Sequence, residues 1–354
     1  MAGLPDLYDT PCLMVDVDAA RRNIERLQAY LNAQGIACRP HVKSHKMPEI
    51  ARMQIEAGSI GVTCQTLGEA EVMADAGITD ILISFPLVGS SKLERLVSLA
   101  KRTTIILSGD SRAVAEPIAS VVTEAGLECD FLVECDVGGS RVGVQTARDA
   151  AQLAALVDDL RGLRFAGLLS YPTPAGGGWL GDAHEACRQA DLGVAIVSGG
   201  GTPRAFETTR ADCVTEYRAG TYVFGDRHCL ANGTVRMEDI ALTVKTTVVS
   251  CPTSTRVVVD AGSKTLSNDA VPSTPDAVGF GVVLEYPSAL IYTLSEEHGL
   301  IDFSRCASRP RVNDVLTIVP NHVCAVVNLH DVVTVVSNDH VLAEWRIAAR
   351  GLVR

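Results

Sequence analysis

Arg39, His41, His45 and Lys46 crowd around Lys43 in the run Arg39-Pro40-His41-Val42-Lys43-Ser44-His45-Lys46. A lysine is costly to bury unless something uses it. Neighbouring positive charge and desolvation both lower an amine's pKa, leaving more of the free base that attacks a carbonyl. A solvated loop ahead of a helix starting near Met47 accounts for the same residues without chemistry. A second signal is Ser198-Gly199-Gly200-Gly201-Thr202, followed downstream by Ala219-Gly220-Thr221-Tyr222. Glycines let backbone N–H groups approach an anion closely, so both runs are candidate phosphate cradles. A third is Pro320-Asn321-His322-Val323-Cys324. Read as a strand, it projects His322 and Cys324 from one face, where they could grip one cation. A buried cysteine beside a satisfied histidine fits equally well.

These residues need elements to position them. From about residue 36 to 227, short apolar runs alternate with amphipathic stretches. The strand candidates are Ile36–Val42, Ile60–Cys64, Ile81–Phe85, Thr104–Leu107, Asp130–Cys135, Phe165–Ser170, Val194–Ser198 and Val214–Tyr217. Helix-like segments such as Met47–Ala57, Leu67–Ala76, Lys92–Lys101 and Thr146–Leu160 lie between them. Strands alternating with helices indicate a parallel sheet, and eight such units suit a closed (β/α)8 TIM barrel. An open doubly wound sheet is the alternative. On the barrel count Lys43 ends the first strand and the glycine runs follow the seventh and eighth, where barrels commonly hold phosphate. A lysine and a phosphate cradle in one mouth suggest a phosphate-bearing aldehyde cofactor.

Beyond residue 228 the texture changes to β-branched, turn-bounded runs at Leu242–Val249, Arg256–Asp260, Val315–Val319 and Val332–Ser337. The expected organisation is α/β: a barrel over residues 11–227 and an all-β domain over 228–354. That second domain is discontinuous if the strand-like Cys12–Val17, ahead of a helix near Ala19–Asn32, joins it with residues 1–17.

The composition narrows the function classes. A formal net charge of −11 and the lack of a Lys/Arg cluster argue against nucleic acid. No run of 18 apolar residues and no apolar leader are present, so no membrane is expected and a cytoplasmic setting is the default. Eleven scattered cysteines without a CxxC pair read as reduced thiols.

The pattern Asp9-Thr10-Pro11, then Arg-Pro-His-Val-Lys43-Ser-His-Lys, then Ser-Gly-Gly-Gly-Thr and Gly-Thr-Tyr-Val-Phe, resembles the D-threonine aldolase and D-serine dehydratase family. These are fold-type III pyridoxal 5'-phosphate enzymes related to alanine racemase, with a barrel, a β domain and usually a homodimer. The resemblance spans nearly the whole chain. It implies that Lys43 is the Schiff-base lysine and that Ser198, Gly200, Gly201, Thr202 and Tyr222 surround the phosphate. It sets Arg141 as a cofactor-contacting arginine, Gln65 and Thr66 in the same mouth, and Tyr171 as a partner for the pyridine ring. A surface salt bridge and a packed aromatic are the plainer readings of Arg141 and Tyr171. The resemblance also implies a divalent metal at His322 and Cys324. The thiolate favours zinc, where a carboxylate would suit manganese or magnesium. The best-known aldolases carry a carboxylate where this chain has Cys324, and a cysteine there is typical of the dehydratase branch. Asp260-Ala-Gly-Ser-Lys264 resembles a family segment that faces an active site, its own or a partner's. Trp179 and His184 could shape a side-chain pocket, with loop packing as the plainer reading.

The resemblance implies a D-amino acid substrate bearing a β-hydroxyl. Two outcomes are open: retro-aldol cleavage to glycine and an aldehyde, or dehydration to a 2-oxo acid and ammonia. The short chain and Tyr171-Pro-Thr-Pro favour the first, and His-x-Cys the second. Racemisation and a non-catalytic cofactor carrier are further readings, the carrier disfavoured by the residues beyond the barrel.

Overall fold

Residues 9–271, 278–338 and 340–354 are described by the computed structural model. The chain opens with β1 (Cys12–Asp16) and α1 (Val17–Gln34). Eight strands then alternate with helices: β2 (Ala37–Cys38), α2 (Pro48–Glu56), β3 (Val62–Cys64), α3 (Leu67–Asp75), β4 (Asp80–Ile83), α4 (Ser90–Ala100), β5 (Thr104–Gly109), α5 (Arg112–Glu124), β6 (Cys129–Cys135), α6 (Ala147–Asp159), β7 (Leu163–Ser170), α7 (Leu180–Gln189), β8 (Ile196–Gly200) and β9 (Glu216–Arg218). The rest comprises α8 (Arg227–Ala231), β10 (Leu242–Ser250), β11 (Arg256–Val259), α9 (Ser263–Leu266), β12 (Val282–Val283), β13 (Leu290–Leu294), β14 (Gly299–Asp302), β15 (Val315–Val319), α10 (Val323–Leu329), β16 (Val332–Ser337) and β17 (His340–Arg346).

Two units result. One takes the chain up to Ile24, Ser44–Met47 and Thr221–Gly351; the other takes Glu25–Lys43, Pro48–Gly220 and Leu352–Arg354.

The second unit is the barrel. Its eight strands run in parallel in the order β2-β9-β8-β7-β6-β5-β4-β3. The two ends meet through a parallel bridge between His41 and Thr63, with the Thr63 N–H donating to the Pro40 carbonyl at 2.8 Å. Of the expected strand Ile36–Val42, Ala37–Cys38 forms the regular ladder; pairing continues through the N–H groups of Arg39 and His41 to the carbonyls of Tyr217 and Ala219 and stops where a 3-10 turn begins at Val42. Leu82, Ile106, Leu132, Ala166 and Leu169 form one buried cluster, with Ile196 packed on it. Side chains two apart on a strand share a face. Ser84, Ser108, Glu134 and Ser198 therefore follow Leu82, Ile106, Leu132 and Ile196 on the same side, and all four are buried. The interior turns polar toward the C-terminal ends of the strands. Outside, helices bury one stripe at helical spacing: Leu93, Leu96 and Leu99 on α4, and Ala150, Leu153, Ala154 and Val157 on α6. Thr66 and Thr146 cap α3 and α6 by accepting from the N–H of Glu69 and Asp149. Gly167 has φ +149, and a β-carbon there would run into the Ile196 carbonyl, so only glycine lets β7 and β8 approach.

In the other unit, nine strands form a mixed sheet ordered β13-β14-β11-β10-β1-β16-β17, with β15 pairing β10 and β12. Leu242, Val244, Thr246 and Val248 of β10 are buried in alternation, the signature of a one-sided sheet. Strand β1 lies inside this sheet, antiparallel to β10 and parallel to β16.

Candidate active site

In the barrel unit, Lys43 sits in the 3-10 turn Val42–Ser44 that follows β2. Its Nζ donates to Gln65 Oε1 at 3.2 Å. Gln65 is itself held twice: its N–H donates to Glu69 Oε2 at 2.7 Å and its Nε2 to the Ser84 carbonyl at 3.2 Å. Lys43 Nζ also lies 5.6 Å from the centre of the Tyr171 ring, and the Arg141 guanidinium carbon lies 4.8 Å from the same point. Lys43, Gln65, Arg141 and Tyr171 thus line one narrow pocket, which His41, Ser84, Glu134, Leu169 and Arg218 complete.

The glycine run lies partly in that neighbourhood and partly beneath it. Gly201 has φ +119, and a β-carbon built on it would find the Tyr171 ring edge nearest, at 3.8 Å. The Gly200 N–H donates to Thr173 Oγ1 at 2.9 Å and the Gly201 N–H to the Arg218 carbonyl at 3.3 Å. Thr202 Oγ1 accepts from the Gly220 N–H at 3.2 Å. Ser198 is fully buried: its hydroxyl donates to Glu216 and accepts from Arg218. Thr66 also has its hydroxyl engaged, capping α3 and donating to the Leu352 carbonyl at 2.7 Å. Tyr222, buried in the 3-10 segment Thr221–Val223, belongs to the other unit.

Glu134 and Arg218 were not singled out from sequence, yet both line the pocket. Arg218 Nη2 donates to the Ser170 carbonyl at 2.9 Å, and the guanidinium continues through Ser198 to Glu216. Glu216 Oε2 in turn accepts from Arg39 Nε at 2.9 Å, and Arg39 pairs with Asp80. Arg39 is therefore an internal counter-ion. Burial lowers the pKa of Arg218, against the opposing pull of Glu216 and Glu134. A charged residue inside an apolar strand (Glu134 in Phe-Leu-Val-Glu-Cys) was the available signal.

In the β-domain unit, His322 and Cys324 are not on a strand as the two-residue spacing suggested. His322 is the N-cap of α10 and Cys324 lies in that helix's first turn. Val323, Val326 and Val327 are its buried residues, at helical rather than alternating spacing. The pair is still brought together. His322 Nδ1 shares a hydrogen bond of 2.7 Å with Asp269 Oδ2, and Cys324 Sγ donates to Ser44 Oγ at 3.3 Å. Hydrogen bonding to Cys324, partly opposed by burial, lifts the His322 imidazole to about 9. Asp226 Oδ2 accepts from the N–H of Val323, between the two donors, at 3.1 Å. Among the described residues no group of three or more His, Cys, Asp or Glu is placed to hold a metal. No helix of the described residues is long and apolar enough to cross a membrane.

The family model for the alanine racemase N-terminal domain matches residues 15–228, and that for a putative serine dehydratase domain matches 241–336. The chain is 35% identical to D-threonine aldolase of Arthrobacter sp., covering 98% of this chain and 94% of that one. It is 34% identical to D-threo-3-hydroxyaspartate dehydratase of Delftia sp. (strain HT23), covering 90% and 91%. It belongs to this family of pyridoxal-phosphate-dependent lyases. A solved structure of D-threonine aldolase from Filomicrobium marinum matches the lyase fold with a TM-score of 0.87 at 33% identity, over 98% of this chain and 97% of that one.

The pocket of this lyase fits the cofactor in two respects. It presents an amine beside an aromatic ring, and one buried carboxylate oxygen, Glu134 Oε2, without a hydrogen-bond partner. The imidazole of His322 and the thiol of Cys324 are of a type that could serve as two donors to a soft divalent ion. Asp269 orients the imidazole, as carboxylates behind metal-bound histidines do.

Proposed function

We propose that this chain cleaves D-β-hydroxy-α-amino acids of the D-threonine type to glycine and an aldehyde. The observation that carries the reading is the convergence of Lys43, Gln65, Arg141 and Tyr171 on one pocket of a chain whose full length aligns with a D-threonine aldolase. Bound pyridoxal phosphate supplies an electron sink for the pair released when a bond at the substrate's Cα breaks.

Lys43 is the anchoring amine, and Gln65, accepting from its Nζ, fixes the direction in which the amine points. Tyr171 offers an aromatic ring beside which a planar heterocycle can lie, with the Arg141 guanidinium over that ring. Gly200, Gly201, Thr202 and Tyr222 are assigned to the phosphate on the family resemblance. Ser198 acts indirectly, by holding Arg218. Thr66 does so by capping α3 behind Gln65. His322 and Cys324 would hold a divalent metal, zinc by the softness of the thiolate, whose chemistry is Lewis-acid polarisation of the substrate's β-hydroxyl. The reading keeps the homodimer implied by the resemblance. A cytoplasmic setting accords with eleven unpaired cysteines.

Dehydration to a 2-oxo acid and ammonia is the second reading. The thiol of Cys324 beside His322, in place of a carboxylate, favours it. Incubation of the metal-loaded enzyme with D-threonine, with assays for glycine and for 2-oxobutanoate, separates the two. Glycine with acetaldehyde is expected; 2-oxobutanoate without glycine overturns the aldolase assignment.

A further inference from the structure

Glu134 is the penultimate residue of β6, 2% exposed, on the interior face that also carries Leu132. A carboxylate so deeply placed requires compensation. Its Oε1 lies 3.6 Å from Arg141 Nη2, and its Oε2 is buried with no hydrogen-bond partner. Burial raises its pKa, while Arg218 and Arg141 pull it back down. The carboxyl is thus a buried acceptor with half its capacity unspent, lining the pocket that holds Lys43.

Arg141 reaches it from a loop that is itself clamped to β6. The Glu134 carbonyl accepts from the Val144 N–H at 2.8 Å, and the Val144 carbonyl accepts from the Asp136 N–H at 3.0 Å. Gly143, at φ +125, closes this clamp where a β-carbon would collide with the Asp136 backbone. Gly139 lets the loop lie against Tyr171, since a β-carbon there would come within 2.5 Å of the Tyr171 carbonyl. Asp136 Oδ1 accepts from the N–H groups of Gly138 and Ser140, stiffening the turn before Arg141. The peptide of Glu134 therefore holds the base of the loop, and its side chain meets the guanidinium at the tip.

Arg141 and Lys43 both approach the Tyr171 ring, and two cations beside one ring repel each other. We propose that Glu134 is a positioning residue that fixes the Arg141 guanidinium over Tyr171 and so sets the charge beside the cofactor ring. An arginine fork matches both oxygens of a carboxylate. The free Oε2 is the second point of that contact, engaged when the pocket is filled. This rests on the reading of the barrel pocket as the cofactor's site.

The test is a double-mutant cycle on the holoenzyme with Glu134→Gln, Arg141→Ala and the double variant, following the visible absorption of bound cofactor as well as kcat and KM. Each single change is expected to shift the absorption band in the same direction and to lower kcat/KM about ten- to a hundredfold. The double variant should be no worse than Arg141→Ala alone. Full retention of the Glu134→Gln loss in the Arg141→Ala background means that Glu134 acts elsewhere and overturns the proposal. A wild-type band and wild-type kcat/KM in Glu134→Gln overturn it equally. Glu134→Asp, which keeps the charge one methylene short, runs the same cycle if the glutamine variant does not fold. Lys43→Ala probes the underlying reading separately: retention of the covalent cofactor band there removes the pocket assignment, whatever the cycle shows.

Discussion

The guanidinium carbon of Arg141 lies 4.8 Å from the centre of the Tyr171 ring. With Lys43 Nζ at 5.6 Å from the same centre, the phenol ring is the common reference for the two cations of the mouth. Tyr171→Phe keeps the face and should bind pyridoxal phosphate within about twofold of wild type. Tyr171→Ala removes it, and binding should weaken roughly fivefold, the equivalent of a half-exposed cation–π contact of about 1 kcal/mol. Titration of the apoprotein with cofactor, followed by visible absorbance, checks both values.

Gly143→Ala should damage turnover more than stability. The added methyl would meet the backbone of Asp136 and of Cys135 at the end of β6, displacing the Asp136–Val144 clamp and with it Arg141. A loss of up to about a hundredfold in kcat/KM is expected from misplacement alone. The thermal unfolding midpoint of the same variant should fall by only a few degrees, since a strained positive φ costs about 1–3 kcal/mol; a much larger fall in Tm would point to a wider role for the loop.

Removal of divalent metal should lower turnover by about a hundredfold or more, with zinc restoring activity better than magnesium. His322→Ala and Cys324→Ala should lose metal stoichiometry, measured by elemental analysis, without losing the absorption of bound cofactor. Undiminished turnover after exhaustive chelation contradicts the metal assignment and favours racemisation.

The barrel should weaken in alkali as a buried phenol ionises. Burial pushes the Tyr217 hydroxyl from 10.0 up to about 12, and that hydroxyl donates to the Gly201 carbonyl at 2.7 Å. A folded-state pKa above the unfolded one means the folded protein holds its proton longer. The stabilisation is complete below pH 10 and is lost as pH rises through about 12. Tyr217→Phe should flatten that limb of the stability profile, as read from urea midpoints between pH 9 and pH 12; an unchanged slope counts against the assignment.

Much of the barrel was legible because its strands are apolar runs in alternation with amphipathic helices, and Lys43 drew notice because it follows the first of them among other basic side chains. The helix at Val323–Leu329 was not, since Val-Cys-Ala-Val-Val carries apolar residues at both the strand and the helix period. The distant partners were hidden for a different reason. Asp269 meets His322 across 53 positions of sequence, and no local pattern announces such a contact. Ser198 read as part of a glycine-rich cradle, whereas its hydroxyl is committed to Glu216 and Arg218 on the neighbouring strand. Glu134 was passed over: its one local trace is a charge in an apolar strand, and its use depends on a loop that folds back over it.

The series Asp80, Arg39, Glu216, Ser198 and Arg218, buried from Arg39 onward and reaching water at Asp80, has a consequence for how this barrel can change over generations. Each member satisfies the next, and a lone replacement strands a charge or a hydroxyl away from water. A lineage or a mutant library can cross to an apolar interior only by altering several codons together. Novelty in this protein should accumulate first on the rims of the mouth, where single substitutions remain tolerable, while these five positions travel as one inherited block.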